Sequence, residues 1–434
     1  MTTMERRTFI LTSGASAIQT QRAAGANDRV NVAVVGTRSR GRDHIDIYAR
    51  QPGAAVAAVC DIDNAQAERA VALVEKAAAP KPKAYQDFRK LLEDKSVDAV
   101  SLATCNHWHA LGAIWACQAG KDVYVEKPAS HNLWEGRKMI EAAAKYGRVV
   151  QVGMQSRSIE HKQKAIELLR QGAIGKVYMA KGICYKRRKS IGKSPDGPVP
   201  AGVDYNQWLG PAPMRPFNPN RFHYNWHWFW DTGNGDIANQ GVHEMDIARW
   251  GLGKQHLPKK VSSSGGKFAY DDDQETPNTL TTAYEFNVGG KAKMMEFEVR
   301  HWYSNHEAGI NGDRPGNTIG NTFYGSDGYL VIDNYNKYYS YQGKDHKPGP
   351  SRTERDTHFE NFIAGVRSRK REELNADIEE GAMSCVLVHL ANISYRLGRT
   401  LHWDEKTWTV KNDPEANRML TRNYRAPYIV PAKV

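Results

Sequence analysis

Five short apolar runs between Val30 and Val152, each separated from the next by a helical pattern, constrain this chain more than any other feature. The runs are Val30–Gly36, Ala54–Cys60, Val97–Ala103, Asp122–Glu126 and Val149–Val152. Their β-branched content and their length suit buried strands. Between them, residues 44–50, an alanine-rich charged stretch, and residues 85–93, 108–119 and 132–146 read as helices, the first stopped by Pro52-Gly53. Connections this short permit only right-handed crossovers, so the expected product is a parallel sheet covered by helices on both faces. The fold class is therefore α/β, with a doubly wound first domain.

The turn after the first run is Gly36-Thr37-Arg38-Ser39-Arg40-Gly41. A dinucleotide-binding turn needs glycines for its bend, for backbone approach to a pyrophosphate and for helix packing. Gly36 and Gly41 fill the first and third places, and Arg38 occupies the second. Asp61, 25 residues beyond Gly36 at the end of the second run, is placed to accept hydrogen bonds from adenosine ribose hydroxyls, which favours NAD over NADP. Arg38 and Arg40 argue the other way, because guanidinium forks suit a 2'-phosphate. Asp61 could instead cap the following helix. Two further strand ends belong to the same edge, where ligands bind in such sheets. One carries Thr104, Asn106 and His109; the other is Glu126-Lys127-Pro128, whose lysine could stabilise an alkoxide or relay a proton. Residues 36 to 41, Asp61, Thr104, Asn106, His109, Glu126 and Lys127 are the candidate cofactor contacts.

Beyond Arg157 the alternation stops. Residues 158–171 read as a helix, and 176–185, 279–287, 291–300, 322–333 and 337–342 as strands joined by turns such as Val288-Gly289-Gly290. An open, mainly antiparallel sheet is expected, with helices at 355–369 and 377–398. The chain divides into residues 1–28, a Rossmann domain over 29–155, a second α/β domain over 156–400 and a tail over 401–434. Residues 187–230 form a long Pro-rich insert, and loops of that length are usually functional or disordered.

The densest chemistry lies in Asn225–Trp250. Trp226, Trp228 and Trp230 precede a Gly-rich turn, then Asp236, Asn239, His243 and Asp246 follow at spacings of three, four and three. On one helix starting near Gly235 those four would share a face. The bland alternatives are an N-cap for Asp236 and a core histidine for His243. The tryptophans could stack on a sugar ring or simply fill the core.

A net charge of +12 is spread along the chain apart from Lys186-Arg-Arg-Lys189, read first as a solvated loop and second as an anion contact, with no nucleic-acid motif beside it. The five cysteines show no zinc spacing, so no metal site is expected. No run after the N-terminus is long and apolar enough to span a membrane. Arg6-Arg7, a weakly apolar run to Ile18 and Ala24-Gly-Ala26 have the layout of a twin-arginine export signal, which predicts a periplasmic or otherwise extracytoplasmic protein.

In their order along the chain, these features resemble the Gfo/Idh/MocA family: the Gly36–Gly41 turn, Asp61, Asn106–His109, Glu126-Lys127-Pro128, Gly241-Val-His243 with Asp246, and Phe323–Tyr329. The resemblance covers about residues 29–400. It implies a Rossmann domain followed by an open-sheet domain, a nicotinamide cofactor, a sugar, glycoside or cyclitol substrate, and a homo-oligomer. It also implies that Lys127 and His243 lie near the reacting hydroxyl. Many members carry an aspartate where this chain has Asn239, and an amide cannot take a proton; either Asp236, one turn earlier, compensates, or Lys127 and His243 suffice. Three activities follow as alternatives: a dehydrogenase that keeps its NAD bound, an enzyme that cleaves glycosides through transient oxidation, and a sugar-binding protein without chemistry.

Overall fold

The computed structural model describes residues 29–77, 79–253, 257–304, 316–353 and 357–434. The twin-arginine reading falls on residues outside this set. The first domain runs β1 (Val30–Val35), α1 (Arg40–Arg50), β2 (Ala54–Cys60), α2 (Asn64–Lys76), β3 (Lys83–Tyr85), α3 (Phe88–Leu92), β4 (Ala99–Leu102), α4 (Asn106–Gln118), β5 (Asp122–Val125), α5 (Leu133–Lys145) and β6 (Val150–Val152). Its six strands are parallel in the order β3-β2-β1-β4-β5-β6. β4 and β5 are buried at every position, because helices cover both faces and neither face needs polar side chains. The order reverses between β1 and β4, so the carboxyl ends of those strands open a crevice. β3, only three residues long and largely exposed, lacked the apolar run that marked its neighbours.

The second domain holds α6 (Glu160–Arg170), β7 (Val177–Lys186), α7 (Tyr205–Leu209), α8 (Asp236–Asn239), α9 (Gly241–Gly253), β8 (Lys260–Gly266), β9 (Thr279–Val288), β10 (Lys291–His301), β11 (Thr318–Gly325), β12 (Gly328–Asp333), β13 (Lys337–Gln342) and β14 (Lys347–Pro348). Then follow α10 (His358–Ser368), α11 (Ile378–Leu397), β15 (Leu401–Asp404), β16 (Thr409–Val410) and α12 (Pro414–Arg418). Its sheet has ten strands, ordered β14-β13-β12-β11-β7-β10-β9-β8-β15-β16. Every pair is antiparallel except β7 with β10. Strand residues such as Phe286, Phe297 and Phe323 are buried beside Val242 and Met245 of α9 and Leu387 of α11, in one core. The stretch 322–333 is two strands rather than one, turned at Ser326-Asp327 between Gly325 and Gly328.

Residues 401–434, set apart in the sequence as a tail, add β15 to the edge of the second sheet through Leu401 and Val261. They then run back over the first domain, where the Leu420 carbonyl accepts from Trp134 N–H at 3.0 Å and the Tyr428 ring sits against Trp108 and Trp115, while Arg425 donates to Asn206 of α7. α10 likewise docks Phe359 and Phe362 onto Tyr124 of β5.

Candidate active site

The crevice at the carboxyl ends of β1, β2, β4 and β5 continues into a cavity of about 1030 Å³ whose far wall comes from the second domain. The first-domain wall is shaped by backbone. Gly36 has φ +78°, and a Cβ there would stand 2.8 Å from the Ala103 carbonyl oxygen; a Cβ on Gly41 would fall 1.9 Å from the Gly36 oxygen. Only glycine lets strand, turn and helix meet so closely. α1 starts at Ser39 with no side-chain cap, which leaves its first turn open to an anion. Asp61 lines the cavity and ties the turn together: it accepts from Thr37 N at 2.8 Å, Thr37 Oγ1 at 3.0 Å and Asp63 N at 3.1 Å. Burial pushes its carboxyl pKa up. Asp63, not Asp61, caps α2.

These residues fit a dinucleotide: a tight glycine-built bend, an uncapped helix start and a carboxylate at the next strand end. Arg40 does not offer its fork to a 2'-phosphate, because Nε bonds Glu126 Oε1 at 3.0 Å and Nη1 bonds Asp43 at 3.2 Å. Gly36, Arg38, Ser39, Arg40, Asp61, Thr104, His109, Glu126 and Lys127 all line the cavity. Thr37 is turned onto Asp61, and Gly41 packs beneath the turn. Asn106 is a correction: it is buried and donates to Asn234 Oδ1 at 3.2 Å rather than facing the cavity. His109 is on the wall, yet both ring nitrogens meet carbonyls, of Pro128 at 2.6 Å and Thr104 at 3.1 Å. It braces the two strand ends.

Lys127 and His243 come to the same cavity from opposite domains. Lys127 Nζ donates to the Asn239 carbonyl at 2.7 Å. Burial pulls its pKa below the ordinary amine value, with Glu126 pulling the other way. The Glu126 carboxyl itself stays well below its usual range despite burial, because Arg40 and His44 face it. His243 is 4% exposed, and its Nδ1 is buried without a partner. Burial first and the Lys127 charge second hold the imidazole well below its ordinary pKa. The ring is therefore neutral at physiological pH. An imidazole titrating near neutrality, as expected from its unperturbed value, is not what this environment produces.

The four-residue stripe does not survive as one face. α8 ends at Asn239, Gln240 intervenes, and α9 starts at Gly241, so the residues on either side point differently. Asn239 and His243 face the cavity. Asp236 does not; Arg188 Nε at 2.5 Å and Nη2 at 2.9 Å, His301 Nε2 at 3.0 Å and Asn239 Nδ2 at 3.2 Å surround it. Against its burial, Arg188 and His301 keep its carboxyl well below the usual range, which removes it as a base. Asp246 is fully buried behind the wall, held by Arg157 Nε and Nη2 at 2.8 Å each and by Ser384 Oγ at 2.5 Å. It cannot reach a substrate. Trp226 and Trp228 line the cavity, whereas Trp230 lies off it under Arg396, 5.0 Å from guanidinium carbon to ring centre.

The wall also holds residues the sequence reading passed over, Gln155, His227, Gln240 and Tyr335, and the run Lys186–Lys189, read first as a solvated loop and second as an anion contact. Gln155 follows the end of β6, and position at a parallel strand's carboxyl end was the available signal. Arg188 belongs to the run read as a solvated loop, but it is drawn into the wall by Asp236. Among the described residues no group of three or more His, Cys, Asp or Glu side chains is arranged to hold a metal, and no helix is long and apolar enough to cross a membrane.

Comparison with known proteins places this architecture. Residues 30–154 match the family described as "Oxidoreductase family, NAD-binding Rossmann fold", and residues 161–288 with 344–430 match its "C-terminal alpha/beta domain". A glycosyl hydrolase family 109 protein of Stenotrophomonas maltophilia is 32% identical over 218 residues, 47% of this chain and 48% of that protein. Inositol 2-dehydrogenase 2 of Saccharopolyspora erythraea is 29% identical over 239 residues, 53% of this chain and 58% of that one. The chain thus spans about half the length of the curated relatives it matches. In fold it is similar to the WlbA dehydrogenase of Bordetella pertussis, crystallised with NADH and UDP-GlcNAcA: TM-score 0.64, 18% identity, 87% of this chain and 99% of that one. Aldose-aldose oxidoreductase of Caulobacter crescentus gives TM-score 0.64 at 18% identity, covering 86% and 99%. The two matched domains, in this order and around this crevice, make the chain a member of the Gfo/Idh/MocA family of NAD-binding oxidoreductases.

Proposed function

We propose that this protein oxidises a secondary hydroxyl of a sugar, glycoside or cyclitol, with NAD held at the first-domain end of the cavity. The observation that carries this reading is the convergence of Lys127 and His243, from opposite domains, on the cavity that the Gly36–Gly41 turn opens into. NAD supplies the hydride acceptor when bound. Lys127, anchored by the Asn239 carbonyl, sets its ammonium where an alkoxide would develop. The neutral His243 ring takes the hydroxyl proton. Its base strength is lowered by its surroundings, but the same Lys127 charge that weakens it also acidifies the alcohol. Asn239 positions and does not exchange protons, and with Asp236 paired no carboxylate takes over that work. Trp226, stacked on His227 by one face, offers the other to the apolar side of a ring.

A second reading shares these parts: oxidation that is later reversed, with loss of a glycosidic substituent between, giving cleavage without net redox change. The 32% identity to a glycosyl hydrolase family 109 protein favours it. Export through residues 1–28 suits both: the oxidoreductase would pass the hydride on to the carbonyl of a second sugar, the cleaving enzyme would return it to the same one, and NAD stays bound in each. Self-association into a homo-oligomer belongs to the same proposal. The test is to mix the NAD-loaded protein with a panel of sugars, cyclitols and aryl glycosides and follow the near-ultraviolet absorbance of reduced nicotinamide together with aglycone release. Absorbance change alone supports the oxidoreductase, and aglycone release without added NAD supports cleavage. Sugar binding with neither signal would overturn both in favour of a binding protein.

A further inference from the structure

Cations line the cavity from both domains, but among the described residues the acidic groups come from one. The acidic groups lining it, Asp61, Asp63 and Glu126, all belong to the first domain. Glu126 is already matched by Arg40 at 3.0 Å and His44 at 3.1 Å. Among the described residues the second-domain wall contributes no aspartate or glutamate and instead presents Lys186, Arg187, Arg188 and Lys189, consecutive residues where β7 ends. Arg188 is neutralised by Asp236. Lys186 and Lys189 have no carboxylate within ion-pair distance among the described residues.

Two physical consequences follow. Cations clustered on a concave wall concentrate anions there. A lysine ammonium is also a pure donor, with three N–H groups and no acceptor, whereas a sugar hydroxyl both donates and accepts. A wall whose charged groups only donate matches a group that only accepts. On the dehydrogenase reading above, we propose that the substrate ring carries an anionic substituent, a carboxylate or a sulfate ester. Lys186 and Lys189 hold that substituent while the reacting hydroxyl faces Lys127 and His243. The two lysines determine specificity and take no part in proton transfer.

The test titrates the NAD-loaded protein by tryptophan fluorescence, which Trp226 and Trp228 report from the wall. Ligands are D-glucuronate and D-galacturonate, glucose 6-sulfate, and the neutral D-glucose and D-galactose. The charged sugars should bind at least about tenfold tighter than their neutral counterparts, the gain expected of a charge-assisted hydrogen bond. Whichever of uronate and sulfate binds tighter identifies the substituent. The advantage should vanish in Lys186→Gln/Lys189→Gln, and in the parent it should shrink with added salt while neutral binding does not. Neutral sugars binding as tightly as charged ones would overturn the inference and leave the dehydrogenase reading standing. Binding of none of the five would overturn the sugar reading itself. A double variant that loses NAD affinity to the same degree would assign the two lysines to the cofactor and overturn the inference.

Discussion

Asp246 and His243 stand one turn apart on α9, both buried, yet the polar groups around them are finished to different degrees. Around Asp246 the charges are matched: Arg157 makes two bonds of 2.8 Å to it, Ser384 adds a third, and Arg249 bonds Glu380 at 2.7 Å. Around His243 they are not. Its Nδ1 and the Thr104 hydroxyl are buried without partners, and Lys127 is held by a main-chain carbonyl instead of a carboxylate. A matched buried cluster joins elements rigidly, in this case α9, α11 and the segment after β6. An unmatched one costs stability and persists where a ligand completes it. The contrast predicts that damage to the two regions separates into loss of stability and loss of turnover.

The largest effect should come from the cavity side. His243→Ala and Lys127→Ala are expected to lower turnover about 10²- to 10⁴-fold, with melting temperatures unchanged or raised. Steady-state rates beside thermal melts check this, and near-parent rates in both variants would end the contrast. Next, Asp246→Ala leaves two buried guanidinium groups short of a carboxylate and should cost about 3–5 kcal/mol by urea unfolding, while turnover per folded molecule stays within a few-fold. A silent stability change with lost turnover would move Asp246 into the site.

Smaller effects sharpen the picture. Asp61→Ala should weaken NAD about tenfold by calorimetry; unchanged affinity would make Asp61 only the tie of its turn. The smallest effect concerns pH. The folded-state pKa of His243 lies below its unfolded value of 6.5, so the unfolded chain binds the extra proton and the parent loses stability as pH falls below about 6.5. His243→Ala lacks that penalty, and its melting temperature relative to the parent should rise as pH falls. A gap independent of pH would mean the imidazole is not held neutral.

Local signals carried much of the first domain. The Val-rich runs, Gly36 and Gly41 and the strand-end lysine each follow from neighbours in sequence, whereas the pairing of Lys127 with His243 at a reacting hydroxyl follows from the family resemblance. What failed needed distant partners. Asp246 looked available until Arg157, 89 positions away, was brought beside it, and Asp236 until Arg188 and His301 were. Helical spacing also assumed an unbroken helix from Gly235, and nothing in Asn239-Gln240-Gly241 announced the break. Lys186–Lys189 read as solvated because charge runs usually are; only the position of β7's end put them on a cavity wall.

The closing stretch of the chain carries a consequence for biogenesis. Tyr428 covers Trp108 and Trp115, and Leu420 meets the start of α5, so the first sheet domain is finished by residues far along the chain, beyond the second domain's sheet. A nascent chain can assemble β1 to β6 while still on the ribosome, but those indoles stay wet until Tyr428 emerges. A message truncated before Pro414 would release a nucleotide-binding domain with a greasy, chaperone-attracting flank.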